Sequence, residues 1–105
     1  MSIDQTASSP VRYSLVIPIF NEEAVLPVLL QRINALLDQF DGPSEAIFVD
    51  DGSSDSSAIY LRFMARRDAR YRFIGLSRNF GHHPAIPAGM DAARGEAIVV
   101  MDADL

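Results

Sequence analysis

The stretch AIVVMDAD, residues 97–104, decides how this chain is expected to fold. An apolar run of strand length ends there in two carboxylates, Asp102 and Asp104, which are separated by one residue. A continuous apolar run is typical of a strand buried on both faces, as in a parallel sheet covered by helices. Neighbouring carboxylates repel each other and are costly to bury, so they suit the carboxyl end of a strand, where a divalent cation can lie between them. Oxygen ligands favour Mg²⁺ or Mn²⁺, and the alternative is a strand that runs out into a polar turn.

The composition is that of one folded domain. Of its 105 residues, 49% are hydrophobic and 22% are charged, which excludes a disordered acidic tail. The net charge of −5 argues against a nucleic-acid partner, whose binding surface would be basic. Cysteine is absent, which fits a cytoplasmic protein, and lysine is absent, which removes Schiff-base and P-loop mechanisms. No apolar stretch reaches the ~18 residues of a membrane span, and the N-terminus lacks a signal-peptide core.

The N-terminal part of the chain predicts a leader, a strand and a helix. Residues 1–12 are polar and are expected to be a flexible leader to a domain over residues 13–105. Tyr13–Ile17 is the first predicted strand, and Pro18 is expected to close it because proline donates no ladder hydrogen bond. A helix is predicted from Pro27. Its inward stripe comprises Leu26, Leu29, Leu30, Ile33, Leu36 and Leu37.

Three further strands and two helices are predicted after it. The second strand covers residues 46–49, and Ser53 or Ser54 is expected to cap the next helix, with Asp55 in its first turn. That helix runs to about Arg67, and its predicted inward residues are Ile59, Phe63 and Met64.

The third strand covers residues 71–76, and a short helix lies within residues 85–93. We expect this helix to start near Pro87, because a proline in a helix interior costs ~3 kcal/mol. Alternating strands and helices predict βαβ units with right-handed crossovers, hence an open, mostly parallel, Rossmann-like α/β sheet.

Polar clusters follow three of the predicted strands. They are Asn21-Glu22, DDGS at residues 50–53 and DAD at residues 102–104. Ligands of open α/β sheets bind outside the carboxyl ends of the strands, at the point where the strand order reverses. No glycine-rich cationic loop accompanies the acids, so a metal ion would bridge this edge to a diphosphate, while other carboxylates accept hydrogen bonds from ribose or base. The residues therefore predict a metal-dependent nucleotide site.

Five motifs together resemble the N-terminal half of a family 2 glycosyltransferase, in particular those that transfer a hexose to polyprenyl phosphate. The motifs are SLVIPIFNEE at 14–23, VDDGSSD at 49–55, LSRNFGH at 76–82, AGMDAARG at 88–95 and MDADL at 101–105. The resemblance implies a GT-A fold with strand order 3-2-1-4 and helices on both faces. Its switch point would lie between the first and fourth strands.

By this resemblance, one group of residues would contact the nucleoside. Pro18, Phe20 and Glu22 would border the base, and Val49 and Asp51 would hold base and ribose. Phe20 stands where tyrosine is common, which keeps a stacking face and loses a hydroxyl.

A second group would contact the diphosphate and the metal. Asp102 and Ala103 would face ribose and diphosphate, and Asp104, with Asp102, would bind Mg²⁺ or Mn²⁺. Arg78, beside the end of the third strand, is the best cationic candidate for the diphosphate.

The resemblance also implies the reaction and the partners. A polyprenyl phosphate oxygen would attack C1 of a UDP- or GDP-linked sugar with inversion, and the ionised acceptor would need no strong base. Relatives continue after the metal motif with an acceptor-binding half, so this piece is expected to lack turnover. Membrane association would come through that part, at the cytoplasmic face. An unpaired fourth strand would favour a homodimer.

Several alternatives stay open or are weakened. A haloacid-dehalogenase-type phosphatase needs Thr or Val where Leu105 stands, and a receiver domain needs a lysine. A non-catalytic nucleotide-binding module and a transferase with a saccharide acceptor remain possible readings, and the sugar and base are undetermined. His82 and His83 are expected to be solvated loop residues. A solvated helix face or contact with an anionic membrane would explain a run of arginines: Arg62, Arg66, Arg67, Arg70, Arg72 and Arg78.

Overall fold

The computed structural model describes residues 11–77 and 84–103 of the chain. Within these ranges four strands alternate with three helices. They are β1 (Tyr13–Ile19), α1 (Leu26–Gln39), β2 (Ser44–Asp50), α2 (Ser57–Arg67), β3 (Tyr71–Gly75), α3 (Ala85–Ala92) and β4 (Ala97–Val100). No helix in the described ranges is both long and apolar enough to cross a membrane.

The four strands form one parallel sheet in the order β3-β2-β1-β4, as expected. β1 pairs with β2 along its whole length, from Tyr13 opposite Ser44 to Ile19 opposite Asp50. β4 pairs only with the first half of β1, and its last pair is Val100 opposite Val16. The predicted GT-A order and the reversal of strand order between β1 and β4 are therefore confirmed.

One face of the sheet carries the main hydrophobic core under α1 and α2. The predicted stripe of α1 is confirmed: Leu26, Leu29, Leu30, Ile33 and Leu37 are buried, and Leu36 packs at the edge. They meet residues of alternate sheet positions, chiefly Leu15, Ile17, Ile19, Ala46 and Phe48. α2 packs mainly on β3. Since both crossovers lie on this face, the opposite face is left to α3.

α3 packs closely on the other face because it presents small residues to the sheet. Gly89 is buried, and a Cβ at that position would lie 2.4 Å from Cγ1 of Val16 and 3.1 Å from Cγ2 of Val49. Ala85, Ala88 and Ala92 pack against the same apolar cluster. The crossover from β3 back to β4 can therefore run close over β1 and β2.

A buried polar group closes the amino end of this second face. Glu45 on β2 is only 3% exposed, and one of its carboxylate oxygens accepts hydrogen bonds from Ser14 Oγ at 2.6 Å and from the Arg94 N–H at 2.8 Å. The other oxygen pairs with Arg72 at 3.0 Å. Arg72 also donates to the Ala92 carbonyl, and the Gly95 N–H donates to Ser14 Oγ. The turn after α3 is thereby tied to β1 and β2.

The sequence predicted that Pro18 closes β1, and this was wrong. Pro18 lies inside the strand, opposite Val49. The reason is its position on the ladder. Val16 accepts from Met101 on the β4 side, whereas Ile19 accepts from Asp51 on the β2 side. Backbone groups alternate between the two sides, so Pro18 faces the β4 side, beyond the last pair of that ladder. Its missing N–H therefore costs no sheet hydrogen bond.

The orientation predicted for α2 was wrong for two residues. Ile59 is 70% exposed and Phe63 is 55% exposed, whereas Ser57 and Leu61 are buried and Met64 is partly buried as expected. Ile59 and Phe63 each stand two residues from Leu61, which is about 200° around a helix and places them on its outer side. Ile59 and Phe63 therefore lie on the side of α2 that faces away from the sheet.

The start of α2 also differs from the prediction, because neither Ser53 nor Ser54 caps it. The helix begins at Ser57, and Asp55 lies before it rather than in its first turn. The Ser57 N–H donates to the Asp55 carboxylate at 2.9 Å. An acceptor on Asp55 thus satisfies an N–H group at the helix start.

Two further expectations fail at α3 and β4. α3 starts at Ala85 rather than near Pro87, because Pro87 then occupies the first turn, where its missing N–H has no intrahelical partner to lose. β4 is exposed along its length rather than buried on both faces. In the described part of the chain it pairs only with β1, so it is an edge strand.

The remaining differences are small. β2 is longer than residues 46–49 and includes the buried Asp50, and β3 ends at Gly75. Arg12, at the end of the predicted leader, donates its N–H to the Pro43 carbonyl at 2.7 Å and accepts from the Ala97 N–H at 3.1 Å. Residues 1–10 of the leader lie outside the described ranges.

The Glu45 group makes stability depend on pH. Burial raises the pKa of Glu45, but hydrogen bonds from Ser14, the Arg94 N–H and Arg72 outweigh it, and the pKa lies below its ordinary 4.5. The folded chain then holds fewer protons than the unfolded chain. This contribution is present above about pH 4.5 and is lost as the pH falls through the lowered value.

We predict that Glu45→Gln lowers the free energy of unfolding by about 3 kcal/mol at pH 7, because an amide cannot accept all these hydrogen bonds. The difference from wild type should shrink below pH 4.5. Urea denaturation at several pH values measures it, with Glu96→Gln, an exposed glutamate nearby, as control. A pH-independent difference would contradict this account of Glu45.

Candidate functional site

The polar loops that follow β1 and β2 lie side by side at the carboxyl edge of the sheet. The Asp51 N–H donates to the Ile19 carbonyl at 2.8 Å, which extends the β1–β2 ladder past the end of both strands. Two of the three predicted polar clusters are therefore neighbours in space. The loops that they begin run from this edge into α1 and α2.

Asn21 joins the two loops through its side chain. Its carboxamide oxygen accepts from the N–H groups of Ser54 at 2.8 Å and Asp55 at 3.2 Å. Its own N–H donates to Ser53 Oγ at 2.8 Å. Asn21 adopts φ = 51°, a left-handed conformation that asparagine tolerates better than most residues. One residue thus bridges the loops with both its side chain and its backbone.

A buried carboxylate supports this bridge from below. Asp50, the last residue of β2, is 4% exposed and accepts hydrogen bonds from both the N–H and the hydroxyl of Ser53. Ser53 Oγ in turn accepts from Asn21. The hydrogen bonds from Asn21 to Ser53 and from Ser53 to Asp50 therefore fix the β1–α1 loop to the end of β2.

A second set of bonds joins the helix starts. Glu23 and Asp55 are bonded reciprocally across the loops, since the Glu23 N–H donates to the Asp55 carboxylate at 3.2 Å and the Ser56 N–H donates to the Glu23 carboxylate at 2.6 Å. The Glu22 N–H donates to Ser57 Oγ at 3.0 Å. Desolvation raises the pKa of Asp55, but hydrogen bonds from Ser57 and Glu23 outweigh it and lower that pKa. These carboxylates hold backbone N–H groups rather than a ligand.

The predicted base-contacting residues of β1 lie along this edge. Phe20 is the first residue after β1 and is 41% exposed. Glu22 is partly exposed and its backbone is held by Ser57. Pro18 is partly exposed on the side where β4 has ended.

Two predicted site residues are buried in the core. Val49 is fully buried on the α3 face of the sheet, and Ala103 is 4% exposed within the main core. Their side chains pack against protein, which leaves only their backbone groups for a contact with a ligand. Asp51, by contrast, is partly exposed at the start of the β2–α2 loop.

Asp102 is exposed two residues after β4. The Met101 N–H donates to the Val16 carbonyl at 3.0 Å, so the ladder with β1 continues up to Asp102. The last pair of the ladder is Val16 with Val100, and two residues further along each strand are Pro18 and Asp102. Asp102 therefore lies at the crevice between β1 and β4, where the strand order reverses.

Arg78 and Asp104 lie outside the described residues, as do His82 and His83. Within residues 11–77 and 84–103 no group of three or more His, Asp or Glu side chains is arranged to hold a metal ion. Of the two predicted metal ligands, only Asp102 is described. Its exposed carboxylate is an oxygen donor of the kind that Mg²⁺ and Mn²⁺ take.

A parallel sheet of order β3-β2-β1-β4 with polar loops at its carboxyl edge defines a Rossmann-like α/β protein, and open α/β sheets generally bind their ligands at that edge. The family model for glycosyl transferase family 2 matches residues 14–105, and the chain belongs to this family. The resemblance read from the five motifs is thereby confirmed. The fold is that of GT-A glycosyltransferases.

The chain is similar to two named relatives over nearly all its length. It is 49% identical over 98 residues to "Uncharacterized glycosyltransferase YkcC" of Bacillus subtilis (strain 168), which covers 93% of this chain and 30% of that protein. It is 45% identical over 94 residues to an undecaprenyl-phosphate 4-deoxy-4-formamido-L-arabinose transferase of Aeromonas hydrophila, covering 88% and 28%. The chain thus spans less than a third of the length of these relatives.

Solved structures agree on the fold. S. aureus TarS in complex with UDP-GlcNAc superposes with a TM-score of 0.69 at 26% identity, over 90% of this chain and 27% of TarS. The mannosyltransferase PcManGT from Pyrobaculum calidifontis, in complex with GDP-Man and Mn²⁺, superposes with a TM-score of 0.72 over 90% and 29%. At 24% identity the second match shows the shared fold alone.

Sequence reasoning missed the supporting residues of this edge. Asn21 and Ser53 were predicted as members of the polar clusters, and Ser53 also as a helix cap, but the hydrogen bonds by which they hold the two loops together were not predicted. The available signal was an asparagine directly after a strand, because asparagine favours left-handed turns and accepts backbone N–H bonds. Pairing it with serines 32 residues away required the tertiary structure.

We predict that Asn21→Gly lowers the free energy of unfolding by about 1–2 kcal/mol, because glycine adopts the same φ but leaves two N–H groups without their acceptor. Amide hydrogen exchange should accelerate at Ser54 and Asp55, whose N–H groups Asn21 accepts. Ser56→Ala, which changes an exposed serine whose side chain makes no capping hydrogen bond, is the control. Unchanged exchange at both amides would show that the carboxamide does not hold the loop.

Proposed function

We propose that this chain is the donor-binding part of a metal-dependent glycosyltransferase. The parent enzyme transfers a hexose from a UDP- or GDP-linked sugar to polyprenyl phosphate with inversion at C1. The observation that carries the proposal is the edge described above: the loops after β1 and β2 are bonded together, and Asp102 emerges at the β1–β4 reversal beside them. This is where an open α/β sheet binds its ligand.

The nucleoside would lie along the β1 and β2 loops. Phe20 offers an exposed ring on which a base can stack, in a position bordered by Pro18 and Glu22. Asp51 would accept hydrogen bonds from the base or ribose, and the backbone of Val49 would border the base. Because Asn21 fixes both loops, these groups are preorganised before the nucleotide arrives.

The diphosphate would lie toward β4. Asp102 and Asp104 would hold Mg²⁺ or Mn²⁺, with the backbone of Ala103 facing the ribose and diphosphate and Arg78 as a cationic contact. When bound, the metal ion supplies charge stabilisation for the departing nucleoside diphosphate. The residues of this chain would hold and orient the donor so that C1 is open to the acceptor. An acceptor phosphate is already ionised, which removes the need for a strong general base.

The named relatives support the acceptor and donor classes. One relative is an undecaprenyl-phosphate transferase, and TarS was solved with UDP-GlcNAc. Since the chain spans 28–30% of the relatives' length, the acceptor site would be formed by the rest of the parent protein. That remaining part would also bring the parent to the cytoplasmic face of the membrane. The exposed β4 edge would favour a homodimer.

The donor site is tested by calorimetric titration with UDP and GDP, each with and without Mn²⁺. We expect one of the two nucleotides to bind in a Mn²⁺-dependent manner. Asp51→Asn should weaken binding about tenfold by removing a charge-assisted hydrogen bond, and Asp102→Asn should abolish the Mn²⁺ dependence. Asp91→Asn, an exposed acid on α3, is the matched control. Equal losses in all three variants would argue against this site.

A transfer assay tests whether the acceptor site lies outside this chain. We expect the 105-residue chain to transfer no sugar to polyprenyl phosphate above background, because donor binding alone does not orient an acceptor. The assay follows radiolabelled sugar from the nucleotide that binds into the lipid fraction. Turnover by this chain would show that the acceptor site lies within it.

A further inference from the structure

The arginine run of the sequence divides into two groups in the structure. Arg70 pairs with Asp38 and Asp68, and Arg72 pairs with Glu45. Three arginines of α2, namely Arg62, Arg66 and Arg67, are exposed. Among the described residues no carboxylate lies within ion-pair distance of these three. The guanidinium of Arg62 lies 5.1 Å from the centre of the Phe73 ring, which leaves its charge without an ionic partner.

Two large apolar side chains share this side of the helix. Ile59 and Phe63 are the most exposed large hydrophobic residues of α2, at 70% and 55%. With Arg62 and Arg66 they line a shallow depression of about 280 Å³. We call these four residues the α2 outer face. Arg67 lies beside it, with its guanidinium 5.3 Å from the centre of the Phe63 ring.

The α2 outer face begins next to the candidate site. Ile59 follows Ser57 by two residues, and Ser57 Oγ accepts from the Glu22 N–H in the β1–α1 loop. At about 1.5 Å of rise per residue, Ile59 lies about 3 Å further along the helix axis, on the opposite side of the helix from that contact. The N-terminal end of the α2 outer face is therefore level with the carboxyl edge of the sheet, across the width of the helix.

We propose that the α2 outer face lies on an anionic phospholipid bilayer surface. Arginines next to isoleucine and phenylalanine on one helix side have the composition of an interfacial helix, in which the apolar groups enter the headgroup region and the guanidinium groups bind phosphates. The net charge of −5 opposes this contact only weakly, since charges more than about 10 Å away are largely screened at about 0.1 M salt.

A bilayer fits this face better than a protein partner. A protein partner would have to supply both an apolar surface and carboxylates in register with the arginines, whereas an anionic bilayer offers both chemistries everywhere. The inference rests on the proposed function in one respect: a lipid-linked acceptor is what brings the enzyme to a membrane. It adds that this part of the chain contacts the bilayer itself.

The test is co-sedimentation of the full 105-residue chain with phosphatidylglycerol vesicles and with phosphatidylcholine vesicles. We expect binding to the anionic vesicles only, and its loss in about 1 M salt. R62Q/R66Q should weaken binding about thirtyfold, from about fivefold per arginine. I59S/F63S should weaken it about tenfold by removing the inserted apolar groups.

The matched control is V28S/R32Q on α1. It changes the same residue classes at the same i, i+4 spacing on an exposed helix surface. We expect it to bind vesicles as the wild type does. Absence of wild-type binding to phosphatidylglycerol, or equal losses in the control and in R62Q/R66Q, would overturn the proposal. So would a dimer in light scattering, without vesicles, that R62Q/R66Q abolishes.

Nucleotide titration separates this proposal from the donor site. R62Q/R66Q should bind nucleotide as the wild type does, because neither arginine is placed in the donor site. Vesicle binding without nucleotide binding in the wild type would support the membrane surface and overturn the donor site. Nucleotide binding without vesicle binding would do the reverse.

Discussion

The carboxamide of Asn21 is the contact on which the candidate site depends. It satisfies two backbone N–H groups of the neighbouring loop from a residue whose own backbone is left-handed. Backbone N–H groups left without partners cost free energy, so a loop without this acceptor would rearrange. Because Asp50 holds Ser53 and Ser53 holds Asn21, the rigidity of the sheet extends into both loops. Positioning by a rigid scaffold is what binding loops require.

The acidic residues of the chain fall into two physical classes. Glu45 and Asp50 are buried, and every hydrogen bond described for them comes from the protein, so they act on structure. Asp102 is exposed at the strand reversal, where it is open to a ligand. Hydrogen bonds offset the cost of burying a carboxylate, whereas an exposed carboxylate keeps its capacity for an outside cation. The net negative charge of the sequence does not distinguish the two classes.

The three described helices also differ in how much of their apolar surface they bury against the sheet. α1 buries a continuous stripe of leucines, and α3 lies close on the sheet through Gly89. α2 uses a narrower inward face and leaves Ile59 and Phe63 outside, among arginines that form no ion pair with the described carboxylates. A helix at the edge of the sheet, over β3, has less apolar surface to cover.

The order of the elements, the parallel sheet and the α1 stripe could be predicted from the sequence, because hydrophobic period and turn residues are local properties. The sequence also determined the family through five motifs. Only the tertiary structure decided that Pro18 stays within β1, since the cost of a missing N–H depends on which neighbour it faces. Likewise, Ile59 and Phe63 are as apolar as core residues, and only the packing of Leu61 on the sheet turned them outward. Asn21 and Ser53 meet across 32 residues of chain, a contact that no local pattern encodes.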